Sequence, residues 1–450
     1  KAFFSNAVDT FRLSAGACVS RMPIKSDCCG GRDKQPSEVG DLRLSREAFK
    51  GDITAVQRLI TEGSNVNEKD LDHNTPLHWA AVRGHLDAVR LLLRKQAESN
   101  ARNKDKDTPL HWACSGGHDA VVGLLVENKA DVMATNMDGT TPLHFAMADG
   151  HMKVADKLIQ AGSSTNACNK DRDTPLHWAC AGGHLSCVEQ LLRNGAAIDG
   201  ENNEANTPLH VAAAAGSVAV VDHLLAQGAQ AAAPNKDKET PLHLACSNGH
   251  PAAAQALVKR GAPQNMQSKN QEMPLHLAVA KGNKALLNVL LQAGADVNQR
   301  ARMDQDTCLH IAASKGNVDM LKALLDAGAD INATNRMHET ALHTACFVGD
   351  LGCTQTLLER GIDRDAPNRD GDLALHWAAL KGDISSPSLH HHPCCLAPRH
   401  QHRHLTCCSH LLLSHSFSSP LLSSCSPLLS LILISLILIL SCRHLISSHL

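Results

Sequence analysis

Apolar side chains in this chain fall in short, helically spaced clusters separated by small and polar residues. Within residues 107–131, Leu110, Ala113 and Cys114 form one narrow apolar face, and Val121, Leu124 and Leu125 form a second at helical spacing. Thr108 can cap the first segment with its hydroxyl, and Pro109 suits a first helical position, where no amide donor is needed. Gly116 and Gly117 end that segment, because glycine tolerates the left-handed conformation that follows a helix. The polar stretch Thr135-Asn136-Met137-Asp138-Gly139 then predicts a turn. The expected unit is therefore helix, loop, helix, turn. Neither helix alone buries enough apolar area to offset its ordering entropy, so each unit needs neighbours.

The neighbours are written into the chain. A Leu-His pair recurs ten times, at His78, His111, His144, His177, His210, His243, His276, His310, His343 and His376, every 33 residues except for one step of 34 between His276 and His310. Six copies read Thr-Pro-Leu-His in full, the first being Thr75-Pro76-Leu77-His78. A glycine follows each histidine by six residues, from Gly84 to Gly382, and Gly51 one period earlier marks residues 48–60 as a divergent first unit. That gives eleven units, the last incomplete. The extra residue falls within 299–306, in a turn, where an insertion costs little. A period in this range means one supersecondary unit stacked many times, offering a long surface instead of a cleft.

Asp107-Thr108-Pro109-Leu110-His111-Trp112-Ala113, a Gly-His pair, a late Leu-Leu and the ending Gly-Ala-Asp-Val-Asn at 294–298 resemble the ankyrin repeat. The resemblance covers residues 41–384. It implies an all-α solenoid of helix–loop–helix units with projecting β-turn fingers, and binding of other proteins through turn tips and inner helices on a concave face. It also implies a structural role for the ten repeat histidines, hydrogen-bonding neighbouring turn backbone. Departures gather toward the C-terminal end: Met273 replaces the threonine, Cys308 the proline, and Leu373-Ala374 both.

A second period is longer. Asn103-Lys104-Asp105-Lys106-Asp107, Asn169-Lys170-Asp171-Arg172-Asp173 and Asn235-Lys236-Asp237-Lys238-Glu239 lie 66 residues apart, each leading into a unit with cysteine three residues after its histidine. Duplication of a two-unit block explains this, and charged tips of matching chemistry are expected at every second unit.

Composition narrows the function classes. The net charge of −2 gives no global basic field, and the mixed sign of the turn charges argues against a nucleic-acid backbone as partner. Aromatics make up 2% of the chain and tyrosine is absent, which suits thin layers built of Leu, Val, Ile and Ala. Cys114, Cys180, Cys246 and Cys346 share a slot that Ala81 and Ala213 fill elsewhere, so cysteine stands in for a small buried residue. Reduced thiols in a cytoplasmic or nuclear protein are expected.

No catalytic motif is present: no GxxxxGK, HExxH, GxSxG or HRD. The ten histidines sit about 10 Å apart at helix-packing distance, too far to share a metal, so neither a metal nor a cofactor is expected. A second histidine series (His85, His118, His151, His184, His250) opens the second helix, where capping or solvent contact is the default. The candidate partner-binding residues are Trp79, Arg83, Lys104, Lys106, Asp107, Trp112, Asp149, Arg172, Asp173, Trp178, Lys238 and Glu239, with Ser115 and Lys281 completing the set at inner-helix ends. The tryptophan slot is shared with Phe145, Val211, Leu244 and Leu277, which favours packing, yet inner-face tryptophans are common interface anchors. The expected function is a non-catalytic protein-interaction scaffold. The alternative is the ankyrin arm of a larger enzyme or membrane protein.

The ends differ in character. Residues 1–40 lack a helical period and read as a flexible leader, with Met22 a conceivable internal start and Cys28-Cys29 a conceivable lipidation pair. Because the chain begins at Lys1, its upstream end is expected to be incomplete. Residues 385–450 contain no Asp, Glu, Lys, Gly or Asn and carry +3 from Arg399, Arg403 and Arg443, leaving −5 for residues 1–384. Ser385-Ser386-Pro387-Ser388 interrupts the second helix of the last unit, and the residue types share pyrimidine-rich codons, which points to translated noncoding sequence. Two competing readings are a membrane anchor at 428–440, short of the about 20 residues a span needs, and metal binding by Cys394, Cys395, His400, His402, His404, Cys407 and Cys408, which lack the usual zinc spacing.

Overall fold

The computed structural model describes residues 42–301 and 304–381. The readings made for the leader and for the tail lie outside the described residues.

Each unit forms as its sequence dictates. The residue before each Pro-Leu-His, threonine in six units and Met273 in the seventh, is extended (φ near −95°, ψ near 165°), and proline takes the first helical position from Pro76 to Pro274. The first helices are short: Pro76–Val82, Pro109–Ser115, Pro142–Ala148, Pro175–Gly182, Pro208–Ala215, Pro241–Asn248, Pro274–Ala280, Cys308–Ser314, Ala341–Val348 and Ala374–Lys381. The second helices are nine residues each, among them Leu86–Arg94, Asp119–Glu127, Met152–Gln160, Leu185–Arg193 and Val218–Ala226. Pro251 opens the second helix Pro251–Lys259 at a position that needs no amide donor. The divergent first unit is a full helix pair, Arg43–Lys50 and Ile53–Thr61, beginning five residues before the 48–60 expected. In all, 21 helices occur among the described residues.

First helices pack against the first helices of adjacent units, and second helices against second helices. The leucine ahead of each of the first nine histidines is sealed: Leu77, Leu110, Leu143, Leu176, Leu209, Leu242, Leu275, Leu309 and Leu342 are at most 1% exposed. Burial of each is worth about 1.5–3 kcal/mol. These residues join with the second-helix stripes, such as Val121, Val122 and Leu125, into one continuous core, which is how short helices become stable. Cys114, Cys180, Cys246 and Cys346 lie in that core, and all eight cysteines among the described residues are free thiols. The inserted residue falls where Arg300–Ala301 pairs antiparallel with Asp306–Thr307.

Candidate partner-binding surface

Nine of the ten histidines bond forward to the turn of the next unit. In His144, Nδ1 accepts the Thr141 backbone N–H at 3.2 Å and lies 2.8 Å from Thr141 Oγ1. Since that amide can only donate, Nδ1 is the acceptor and Nε2 carries the proton, which it donates to the Asp173 carbonyl of the next finger at 3.0 Å. The same pair of bonds holds for His78, His111, His177, His210, His243, His310 and His343. His276 differs, reaching Gln299 instead, because the following turn has the extra residue. His376 keeps the local bond from Leu373 N–H. Burial holds His78, His111, His144, His177, His210 and His243 down to about 4, opposed by the bond to the next finger's carbonyl. Protonation at Nδ1 would also destroy the acceptor that threonine uses.

The second histidine series corrects an expectation. These half-buried rings do not cap their own helices. His85, His118, His151, His184 and His250 bond backward, through Nε2, to carbonyls of Phe49, Val82, Ser115, Ala148 and Ala214 at 2.9–3.2 Å. Those carbonyls end the preceding unit's first helix and lack helical partners. The ring needs a bare backbone beneath it: a Cβ on Gly84 (φ +73°) would lie 2.4 Å from His118 Nδ1. Where Asp52, Asn283, Asn317 and Asp350 stand in the histidine's place, the side chain caps its own second helix instead.

The tryptophans also need correction as binding anchors. Trp79, Trp112 and Trp178 are 2%, 3% and 7% exposed. They stack edge-on in a ladder, Phe49–Trp79–Trp112 and Phe145–Trp178, with centroids 5.2–5.8 Å apart. Trp79 Nε1 donates to Asp70 Oδ2 at 3.1 Å and Trp112 Nε1 to Asp107 Oδ2 at 3.4 Å. Neighbouring first helices close over the indoles, so their slot is shared with Val and Leu for packing reasons.

The fingers divide each charged run between two environments. Asn103 starts one finger: its Oδ1 accepts Asp107 N–H at 2.8 Å, and its Nδ2 donates to Asn74 of the previous finger at 3.0 Å. Asn202 to Asp173 and Asn235 to Asn206 repeat that cross-finger bond. The fifth finger residue is thereby turned inward, and Asp107, Asp173 and Glu239, expected at the surface, are buried. Burial pushes their carboxyls up to about 6, 6 and 7. Ser115 is buried as well. Lys104, Lys106, Arg172 and Lys238 remain exposed at the tips, together with Arg83 and Lys281 at first-helix ends, and Asp149 is half-buried. Arg83 lies over the Phe49 ring at 5.0 Å. Tip backbones are tied in series, Lys104 N–H to Asp72 O at 2.8 Å, Met137 N–H to Asp105 O at 2.7 Å and Lys170 N–H to Asp138 O at 2.8 Å. The charged side chains therefore stand on fixed backbone. Three apolar tip residues escaped the sequence reading, Leu71, Met137 and Met337, exposed by 59%, 48% and 38%. Counting the 33-residue period into the finger would have found them.

Titratable groups follow the repeat and do not converge. No group of three His, Cys, Asp or Glu residues among the described residues is placed to hold a metal, and no helix among them is long and apolar enough to cross a membrane. A family model described as ankyrin repeats in three copies matches residues 44–136, 100–167, 143–235, 221–301, 260–335 and 309–386. The chain belongs to the ankyrin-repeat family. Among solved structures, the human ASB11 ankyrin repeat domain is 31% identical, with a TM-score of 0.46, over 49% of this chain and 98% of that one. The ankyrin repeat domain of Bcl-3, a member of the IkappaB protein family, is 31% identical, with a TM-score of 0.43, over 46% of this chain and 93% of that one. Ankyrin repeats generally mediate protein–protein interaction.

Proposed function

We propose that this ankyrin-repeat chain is a non-catalytic scaffold or adaptor that docks partner proteins on its finger tips and on the exposed ends of its first helices. The observation that carries this reading is the separation of roles within each unit. Histidine, tryptophan and the fifth finger residue are consumed by packing, whereas Lys104, Lys106, Arg172 and Lys238 stand exposed on tips tied by inter-unit backbone bonds, and Arg83 and Lys281 stand exposed at first-helix ends. Preorganised side chains lose little freedom on binding, which favours recognition. Specificity lies in these variable exposed positions, because the buried ones repeat from unit to unit.

The test is quantitative capture of a protein partner by the full chain and by two exposed-face variants, Arg83→Glu/Lys281→Glu and Arg172→Glu/Lys238→Glu. Both should melt like the parent, and at least one should lose partner. Trp112→Ala serves as a contrast, since it should lower the melting temperature first and binding only in consequence. Unchanged partner recovery by both charge variants would refute the proposed surface.

A further inference from the structure

The tips of the first six fingers carry net charge in strict alternation. Residues 71–73 (Leu-Asp-His) carry −1 with the histidine neutral, and 104–106 (Lys-Asp-Lys) carry +1. The series continues through 137–139 (Met-Asp-Gly, −1), 170–172 (Lys-Asp-Arg, +1), 203–205 (Asn-Glu-Ala, −1) and 236–238 (Lys-Asp-Lys, +1). It ends at 269–271 (Lys-Asn-Gln), which is again +1. Every charged residue of the six tips is exposed. The acids behind the basic tips are buried; Asp173 and Glu239 take amide bonds from Asn202 and Asn235 at 2.8 and 3.4 Å. Two in-chain pairs, Lys104 to Asp72 at 3.7 Å and Lys269 to Asp237 at 4.0 Å, leave all four side chains more than half exposed.

An alternating array with an even number of members complements itself. A two-fold axis between the third and fourth tips sets the first opposite the sixth, the second opposite the fifth, and the third opposite the fourth. Each of those pairs joins opposite signs, so both halves of an isologous contact are satisfied at once. Beside that axis stands Met137, 48% exposed, giving an apolar centre within a charged surround, the usual anatomy of a protein interface. A partner of one sign would meet three repelling tips.

We infer that this chain pairs with a second copy of itself, antiparallel, finger tip to finger tip across residues 71–238. A chain that stayed monomeric would still present its tips and first-helix ends to other proteins, so the scaffold reading does not depend on this pairing.

Sedimentation velocity of the full chain, over a range of concentrations at low ionic strength and again at about 0.5 M salt, reads the association directly. A dimer that forms with concentration and dissociates in salt is expected. Lys104→Glu with Lys106→Glu sets an acidic tip against the acidic fifth tip and should weaken the dimer at least about tenfold. Adding Asn203→Lys and Glu204→Lys to that variant should restore it. All four positions are exposed, and the one inter-finger bond given up, from Asn203 Nδ2 to the Lys170 carbonyl at 2.9 Å, lies in solvent, so the melting curves should stay close to the parent's. A monomer at every concentration, an association insensitive to salt, or a combined variant that stays as weak as the first would each overturn the proposal.

Discussion

Replacing His144 by alanine should cost the stack about 3–5 kcal/mol, although the residue touches nothing outside the protein. Three losses contribute. The first helix of its unit loses the reciprocal bonds between Thr141 and Nδ1, at 3.2 and 2.8 Å, comparable to losing an N-cap at about 1 kcal/mol. The Asp173 carbonyl loses the Nε2–H donor at 3.0 Å in a site sealed from water, about 1–3 kcal/mol for an orphaned buried acceptor. The Trp178 ring, edge-on at 5.5 Å, loses its aromatic neighbour, about 0.5–1.5 kcal/mol. Urea unfolding followed by far-ultraviolet circular dichroism measures the total. Hydrogen exchange should place the lost protection in units flanking residues 141–173, because each unit contacts only its neighbours. Thr141→Val, which keeps the ring and its bond to Asp173, should cost only about 1 kcal/mol. A natural precedent stands at Met273, where the hydroxyl is missing and the backbone bond to His276 Nδ1 persists at 3.1 Å. If His144→Ala cost no more than Thr141→Val, the histidine would not be pinning one unit to the next.

Two further outcomes follow from titration and backbone strain. The six histidines held at about 4 against an ordinary 6.5 are neutral when folded, so each contributes about 3 kcal/mol that is lost as pH falls from 6.5 through 4. Asp107, Asp173 and Glu239, raised to about 6, 6 and 7, act in the opposite sense, recovering stability as pH falls through those values. Histidines outnumber them, so midpoints in urea should drop between pH 6.5 and 4, and a flat profile across that window would contradict the buried, neutral assignment. Gln96 and Lys129 occupy, with φ of +70° and +61°, the turn after the second helix that Gly162, Gly195 and Gly228 fill in other units. Lys129→Gly, alone or with Gln96→Gly, should therefore raise stability by about 0.5–1 kcal/mol per site in thermal melts; an unchanged or lowered midpoint would show that the strain is offset elsewhere.

Much of the fold was legible because its determinants are local. Thr-Pro at a helix start, glycine at its end and apolar residues at helical spacing act within a few residues of one another, so Pro109–Ser115 and Asp119–Glu127 lie where their own residues place them. The surface was less legible. Lys104-Asp105-Lys106-Asp107 reads as one solvated run, yet three members are exposed and the fourth is buried. The fingers differ in sequence but share this inward turn, which Asn103 and its counterparts impose through bonds to the adjacent finger.

The sequence by itself determined the unit, its period, its caps and the 66-residue alternation of tip chemistry, since each is a property of a short stretch or of its repetition. Tertiary structure alone decided which of those side chains remain available. His85, His118 and their counterparts find their partners 36 residues back, the repeat histidines find theirs 29 residues ahead, and the tryptophans close against rings one unit away. The physical reason is that burial is a relation between adjacent units, set by stacking, and no single repeat encodes what its neighbour will cover.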